Sequence, residues 1–280
     1  MSFYISLSGL KASQTDLSTI SNNVANVSST AFKKSKAQFG DIFAAAPMQT
    51  TSQVAGQGVR VQGVAQQFTQ GTLETTDKTL DLAITGEGYF TVRGEDGTIS
   101  YTRNGAFAVD DDRFAVDTTG ARIQVFAVDP ATGDTTVDPI GATPADLTDL
   151  QIPNTYDGTA DGAQLTSVGV GKDGLVSAVY ADGSTVYLGQ VAMASFNSQE
   201  GLRQEGDAHW TSTVASGAPI LGTGNQGMFG AVNSGMLERS NVDITDELVN
   251  LIAAQRNFQA NSKAIEAANT LTTTIVNLRT

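Results

Sequence analysis

The two ends of this chain carry apolar residues at alternating spacings of three and four. Such spacing places side chains on one stripe of an α-helix, and over several heptads it requires a partner helix to cover the stripe. The N-terminal stripe comprises Phe3, Leu10, Leu17, Ile20, Val24 and Val27. The C-terminal end has two adjoining rows, Ile244, Leu248, Leu251, Phe258, Ile265 and Val276 in one, and Ala254, Ala264, Ala268, Leu271, Ile275 and Leu278 in the other. Because adjoining rows need more than one neighbour, we predict terminal helices that pair as a coiled coil and then pack on helices of other copies.

The predicted assembly seam is taken from these rows. It comprises Leu10, Leu17, Ile20, Val24, Val27, Ile244, Leu248, Leu251, Phe258, Ile265, Leu271, Ile275 and Leu278. From periodicity alone, an ordinary intramolecular helical hairpin explains the rows equally well. Asn22, Asn23 and Asn26 are poor helix formers, so they indicate either the end of the first helix near Val24 or hydrogen bonding between helices.

The middle of the chain is strongly acidic. Residues 37–237 hold 8 Lys and Arg against 23 Asp and Glu, a net charge of −15, whereas the two ends together carry +2. An acidic surface repels nucleic acid, and nearly neutral ends are able to pack against copies of themselves. We therefore expect no nucleic-acid partner. The absence of cysteine excludes disulfides and thiolate metal sites.

The sequence also lacks the apolar segments that membranes require. No apolar run reaches the length of about 18 residues typical of a spanning helix, so we expect no membrane insertion. The N-terminus has no basic region followed by an apolar core and a small-residue cleavage site, so we expect no cleaved secretory signal.

From about residue 76 the apolar pattern changes from helical to strand-like. Alternating runs lie at residues 80–84, 89–93, 165–170, 175–180 and 185–194, separated by Asp-Gly and Asn-Gly turn signals. The predicted fold class is therefore α+β, with an antiparallel β domain in the middle and long α-helices at both ends. We predict a helical coiled-coil domain at residues 1–30 plus 240–280, an extended linker at 31–75, the β domain at 76–128 plus 164–239, and a small insertion, either a reduced outer domain or a loop, at 129–163.

Three local predictions concern the linker and the end of the β domain. One strand is expected within the linker at Val59–Val64. Gly217–Gly235 is expected to be a loop because it is rich in glycine and lacks alternation. Asp243 is expected to cap the final helix, with Asp246 in its first turn.

The sequence contains no convincing catalytic or cofactor-binding motif, so we predict a protein that is not an enzyme and holds no metal or cofactor. His209 is the only histidine, and beside Trp210 it is expected to be a half-buried strand residue. The Asp110-Asp111-Asp112 run lacks the glycine and terminal glutamate of a calcium loop and indicates a hairpin turn. Gly86-Glu87-Gly88 has no third glycine at the dinucleotide spacing and indicates a turn.

Several different short motifs follow one another along the chain. The first are Ser8-Gly9-Leu10, Ser21-Asn22-Asn23-Val24-Ala25-Asn26 and Phe32-Lys33; the next are Leu82-Ala83-Ile84-Thr85-Gly86-Glu87-Gly88-Tyr89-Phe90 and Tyr101-Thr102-Arg103-Asn104-Gly105. The last are Ser216-Gly217-Ala218-Pro219, Leu237-Glu238-Arg239-Ser240-Asn241-Val242-Asp243 and Ala254-Gln255-Arg256-Asn257-Phe258-Gln259-Ala260-Asn261-Ser262-Lys263. Over nearly the whole chain, these motifs resemble those of the bacterial flagellar rod and hook protein family.

The resemblance implies a structural role in the flagellum. In that family the terminal helices line the inner part of a helical tube and the β domain stacks outside. Residues 11–17, 180–183 and 188–191 are most similar to hook subunits, whereas the chain length of 280 is similar to that of distal rod subunits. The resemblance therefore implies a subunit of the hook, a flexible joint that transmits torque from rod to filament, with the distal rod as the alternative.

The resemblance also implies partners and a location. The implied partners are further copies of the chain, the distal rod protein, the hook cap, the hook–filament junction proteins and the flagellar type III export apparatus. Export without cleavage would place the protein outside the cell, in the flagellum. The segment Phe39-Gly40-Asp41-Ile42-Phe43 resembles a short export element, in which Phe39 and Phe43 are the apolar positions.

Two other classes of protein are alternatives to this interpretation. A polysaccharide-active enzyme would need paired carboxylates in a groove, and the many aspartates keep that alternative open. A secreted β-rich binding module would account for the acidic middle. Both alternatives leave the terminal helices without a role.

Overall fold

The computed structural model describes residues 2–42, 56–136, 138–139, 141–155 and 163–277. The chain forms two compact units. Unit 1 consists of Met1–Ser28, Lys33–Phe68 and Val242–Thr280, and unit 2 of Ser29–Phe32 and Thr69–Asn241. The two terminal helices and the antiparallel strands between them confirm the predicted α+β class.

Unit 1 contains both long helices and one hairpin. Helix α1 spans Ser2–Ala25 and helix α2 spans Ile244–Asn277. Asp243 Oδ1 accepts hydrogen bonds from the backbone N–H groups of Thr245 at 2.8 Å and Asp246 at 3.4 Å. Such a cap satisfies N–H groups that have no partner within the first turn, so the predicted cap is confirmed.

The hairpin of unit 1 lies within the segment predicted as an extended linker. Strands β1 (Ser35–Asp41) and β2 (Val59–Gln66) pair antiparallel, with a register shift between Gln38 and Phe39. Strand β2 includes the strand predicted at Val59–Val64. The division of the chain at residues 31 and 75 stays a prediction.

Unit 2 is built almost entirely from short antiparallel strands. They are β3 (Leu73–Thr75), β4 (Leu82–Thr85), β5 (Tyr89–Arg93), β6 (Ile99–Thr102), β7 (Ala108–Val109), β8 (Ala115–Val116), β9 (Arg122–Phe126), β10 (Thr148–Asp149), β11 (Leu165–Val170), β12 (Leu175–Tyr180), β13 (Thr185–Val191), β14 (Met193–Ser195), β15 (Arg203–Gly206), β16 (His209–Thr211), β17 (Ile220–Gly222), β18 (Ala231–Ser234) and β19 (Met236–Glu238). Among the described residues, 13 of these strands form one sheet, whose main path is β11-β12-β13-β9-β5-β6-β16-β15. Two separate pairs, β4–β18 and β3–β19, complete the unit.

The core of unit 2 lies where the central strands β5, β9 and β14 meet. Phe90, Val92, Ile123, Val125 and Met193 are buried there. The turns between strands follow the predicted Asp-Gly signals, because a glycine readily adopts the positive φ that such turns need. At the turns after β11 and β12 the glycine φ values are 82° and 83°.

Gly217–Gly235 is not the continuous loop that was predicted. The segment contains β17 and β18, which pair with β14 and β4. Strands of three and four residues are too short to show a recognisable alternation. Their positions are fixed by the strands beside them, which sequence patterns do not reveal.

The described part of residues 129–163 contributes to the core of unit 2. Strand β10 pairs with β9, and Leu150 and Ile152, which follow it, are buried in the main apolar cluster. The predicted outline of this segment as an insertion stays a prediction.

Candidate assembly surface

The two helices of unit 1 lie side by side and run antiparallel. A side chain added at Gly9 of α1 would lie 2.8 Å from Asn261 Oδ1 of α2, which indicates close approach at that end. At the other end, Asn23 Nδ2 donates to Glu247 Oε2 at 3.0 Å. Since residue numbers rise along one helix while they fall along the other, the N-terminal half of α1 lies beside the C-terminal half of α2.

One row of α2 is shielded from solvent along the described helix. It comprises Glu247, Leu251, Ala254, Phe258, Asn261, Ile265 and Ala268, which are buried or half-buried while the residues between them are exposed. The spacing alternates between four and three, which is the heptad pattern of paired helices. Two of its members, Glu247 and Asn261, are polar, and the predicted seam omitted both.

The structure places the predicted seam residues at three levels of exposure. Ile20 is buried, while Leu10, Leu17, Val24, Val27, Leu251, Phe258 and Ile265 are half-buried. Ile244, Leu248 and Leu271 are exposed. Ile275 belongs to α2, and Leu278 lies outside the described residues.

The first turns of α2 carry an apolar surface that unit 1 leaves uncovered. We call it the exposed stripe; it consists of Ile244, Leu248, Val249 and Ile252, which retain 47, 44, 63 and 49% of their accessible surface. Single exposed apolar residues are common, but four within nine positions form a continuous patch of the kind that marks an interaction site. Val249 and Ile252 were missed because they fall outside the three-and-four rows, although their apolar character was visible in the sequence.

A polar network lies at the same end of the helix pair as the exposed stripe, around Glu247. The Asn23 side-chain N–H group also donates to the Ser35 carbonyl at 2.8 Å, and Asn23 Oδ1 accepts from the Ser35 N–H at 2.9 Å. Lys34 Nζ lies 3.8 Å from the buried Glu247 carboxylate. Asn23 thus makes the hydrogen bond between helices that the sequence left as one of two possibilities. The helix also ends nearby, at Ala25.

An open groove of about 360 Å³ runs between α1, β1 and α2 within unit 1. Asp16, Lys36 and Glu247 are among its charged lining residues. Burial raises the pKa of Asp16, the Glu247 charge raises it further, and Lys36 partly opposes both. The groove therefore has mixed charge.

The hairpin adds apolar side chains of its own. Phe39, Val61 and Val64 are exposed, and Phe39 pairs directly with Val61 across the two strands. Phe43, the second residue of the predicted export element, lies outside the described residues.

His209 in unit 2 occupies a strand, as predicted, but it is buried rather than half-buried. Its Nε2 lies 2.6 Å from Asp117 Oδ2, and its Nδ1 lies 2.9 Å from the Asp207 carbonyl oxygen. Burial alone would lower the pKa of His209, but the hydrogen bond to Asp117 and its charge outweigh burial, so the pKa is raised. Because acceptors face both ring nitrogens, neither is available to activate a hydroxyl nucleophile.

Within the described ranges, no group of three or more His, Cys, Asp or Glu side chains is arranged to hold a metal ion. Nor does either described helix combine the length and hydropathy needed to cross a membrane.

Three family profiles match successive parts of the chain. Residues 3–33 match "Flagella basal body rod protein", residues 83–178 match "Flagellar hook protein FlgE/F/G D1 domain", and residues 233–278 match "Flagellar basal body rod FlgEFG protein C-terminal". The flagellar basal-body rod protein FlgG of Bacillus subtilis is 35% identical over 293 positions, covering 99% of this chain and 98% of that protein. The chain belongs to the flagellar hook and basal-body rod protein family. Its role is therefore that of a structural subunit of the flagellar hook or rod.

Two hook proteins are similar to the chain at lower identity. The flagellar hook protein FlgE of Salmonella typhimurium is 28% identical over 416 positions, covering all of both chains. The crystal structure of the Helicobacter pylori flagellar hook protein FlgE2 is also similar, with 16% identity, a TM-score of 0.24, and coverage of 50% of this chain and 38% of that one.

Proposed function

We propose that this chain is the subunit of the flagellar hook and that its copies polymerise into a helical tube that acts as a flexible joint. The observation that carries this proposal is the end-to-end match to hook proteins, which includes all of this chain and all of the Salmonella protein. The segments at residues 11–17, 180–183 and 188–191, which are similar to hook subunits, agree with it.

We further propose that the terminal helices form the contacts between copies, as a coiled coil that packs on neighbouring coiled coils. The heptad spacing of the shielded row on α2 supports the pairing of α1 with α2. The exposed stripe supports contact with a second copy, because burial of apolar surface is the main favourable term in association. The predicted seam residues and the domain division at residues 1–30 and 240–280 belong to this proposal.

The remaining partners follow from the position of a hook. We propose contacts with the distal rod protein, the hook cap and the hook–filament junction proteins, and export through the flagellar type III apparatus without cleavage. The final location would be extracellular.

Exposed Phe39 supports a role for the hairpin segment in export. Secretion of a Phe39→Ala variant into the medium, compared with that of Val64→Ala on the same hairpin, tests this role. Equal secretion of the two variants would contradict it.

A specific observation favours the distal rod as a second candidate. The alignment to the Bacillus rod protein has 293 positions, close to the 280 residues of this chain, whereas the alignment to the Salmonella hook protein has 416. The hook relative thus has at least 136 positions with no counterpart here, and the rod relative is also more similar, at 35% against 28% identity.

Deletion of the gene in the bacterium that carries it distinguishes the two candidates. Electron microscopy of purified basal bodies would show complete rods without hooks if the chain is the hook subunit. Rods that end early, with no distal segment, would identify the distal rod subunit and refute the hook proposal. Purified full-length protein gives a second criterion, since curved or supercoiled tubes indicate a hook and straight tubes a rod.

A further inference from the structure

Three stretches of chain connect unit 2 to the remainder of the molecule, and they meet inside unit 2. One is residues 29–32, which lies between two parts of unit 1 in the sequence; the others are the start of Thr69–Asn241 and its end. Strand β3, near that start, pairs with β19, near that end. All three stretches converge beside Glu238, the last residue of β19, because residues 29–32 also bond to it through Ala31.

Glu238 makes a bond to each of the other two stretches. Its backbone carbonyl accepts from the Ala31 N–H at 2.8 Å, and its side-chain Oε1 accepts from the Gly71 N–H at 2.8 Å. The flanking residues continue the connection, because Arg239 N–H donates to the Thr72 carbonyl at 2.9 Å. A side chain at Gly71 would overlap the carbonyl oxygen of Arg239, so only glycine allows this approach.

The carboxylate of Glu238 is fully buried, and the guanidinium of Arg103 lies beside it. Arg103 Nη1 lies 3.5 Å from Glu238 Oε2, and Arg103 Nη2 donates to the Gly86 carbonyl at 2.9 Å. The Arg103 guanidinium also lies 5.2 Å from the centre of the Tyr89 ring. Removing one partner of a buried pair leaves an uncompensated charge, so loss of either Arg103 or Glu238 alone would destabilise the fold.

The geometry of Ala31 shows that this meeting point constrains the backbone. Ala31 is fully buried and has a φ of 56°, a left-handed conformation that alanine rarely adopts. Such a conformation persists only where the surrounding structure fixes it. The bond to the Glu238 carbonyl is one of the contacts that fix it.

We propose that Glu238 is a mechanical tie, which holds the three connecting stretches together so that a force applied through any one of them is shared by all three. The force-bearing role rests on the proposed function as a torque-transmitting subunit, whereas the cooperative attachment of the stretches does not. If the tie exists, the stretches open together; if Glu238 makes only local contacts, each amide opens independently.

Hydrogen exchange on the full-length chain tests the tie. In Glu238→Ala, exchange at the Gly71 amide is expected to rise on the order of tenfold or more, since a hydrogen bond to a charged group is lost. The exchange rate of the Ala31 amide is expected to rise together with that of Gly71, although the acceptor of Ala31 is the backbone carbonyl of residue 238, which the substitution retains. Glu74→Gln is the matched control, because Glu74 forms an exposed pair with Arg239 at 3.4 Å in the same region; both amides should stay at wild-type rates.

A second variant separates the tie from general stability. Arg103→Met with Glu238→Met replaces the buried pair by apolar groups of similar size, an exchange that often leaves stability unchanged. A melting temperature close to wild type with fast exchange at both amides supports the tie. An increase confined to Gly71 in Glu238→Ala, or wild-type exchange at both amides in the double variant, overturns it.

The mechanical role is tested in cells. Bacteria that carry the double variant are expected to assemble normal numbers of flagella but to lose them in viscous medium, whereas Glu74→Gln cells keep them. Equal retention of flagella in the two strains would overturn the force-bearing role. If the protein is instead the rod subunit, the exchange result is unaffected and microscopy shows the breaks in the rod.

Discussion

Replacement of the exposed stripe by glutamine is expected to impair polymerisation without unfolding the subunit. The triple variant Leu248→Gln, Val249→Gln and Ile252→Gln changes side chains that retain about half of their accessible surface in the isolated chain. Glutamine has a helix propensity at least equal to those of valine and isoleucine. The helix itself should therefore remain formed.

The size of the effect follows from the surface left to bury. Complete burial of a Leu, Ile or Val side chain stabilises by about 2 kcal/mol. With roughly half of each side chain still exposed, covering the stripe in a polymer contributes about 1 kcal/mol per residue, or about 3 kcal/mol for the three. Because each 1.4 kcal/mol is a factor of about ten in an equilibrium constant, the critical concentration should rise about 100-fold.

Sedimentation of full-length protein over a range of concentrations measures the critical concentration, and circular dichroism measures the melting temperature of the monomer. Ala267→Gln, at an exposed position of the same helix outside the stripe, should polymerise as wild type does. Ala254→Gln, at a buried position facing α1, should instead lower the melting temperature. If the triple variant polymerises at the wild-type concentration, the stripe is not a contact between copies and the reasoning is wrong.

Three further outcomes are expected. Leu251→Asp places a charge in the shielded row of α2, so the helical circular dichroism signal and polymerisation should be lost. The fluorescence of Trp210, which is the only tryptophan and is buried in unit 2, should stay unchanged. Altered fluorescence would contradict the folding of unit 2 independently of unit 1. The pKa of His209 is raised in the folded protein, so the contribution of His209 to stability is complete below its ordinary pKa of 6.5 and is lost as pH rises through its folded pKa. The pKa of Asp117 is lowered, so the contribution of Asp117 is complete above its ordinary pKa of 3.8 and is lost as pH falls through its folded pKa. Melting followed by Trp210 fluorescence should therefore show a loss of stability on the alkaline side that His209→Gln removes, and an identical pH profile in the variant would refute the assignment. Finally, added salt should promote polymerisation, because a middle segment of charge −15 repels its copies and the Debye length falls from about 30 Å at 0.01 M to about 10 Å at 0.1 M; a critical concentration independent of salt would contradict this.

The terminal helices and the strands could be predicted because their patterns are local. Apolar spacing of three and four predicts α1 and α2, and alternation between Asp-Gly turns predicts β11, β12 and β13. Asp243 was predicted as a cap because the chemistry of a helix N-terminus depends only on a few neighbouring residues.

The features that sequence reasoning missed depend on contacts between distant residues. Glu247 is polar, so an apolar pattern omits it, yet it occupies the shielded row because Asn23, 224 positions earlier, donates to it. The partner of His209 is likewise 92 positions away, at Asp117. The exposed stripe was missed for a different reason, since a search for one covered row overlooks apolar residues that stay exposed on the helix.

The contacts along the helix pair fix the register of α1 against α2. A slip of one heptad in one direction would move Glu247 from Asn23 to Asp16, seven residues earlier, and would set two carboxylates against each other. A slip in the other direction would carry Glu247 past Ala25, where α1 ends, and its buried carboxylate would lose the hydrogen bond that Asn23 donates. Both slips also separate Gly9 from Asn261, where the helices approach closely. The pair therefore has a single register, so a polymer of the proposed kind would extend or compress without sliding of α1 along α2.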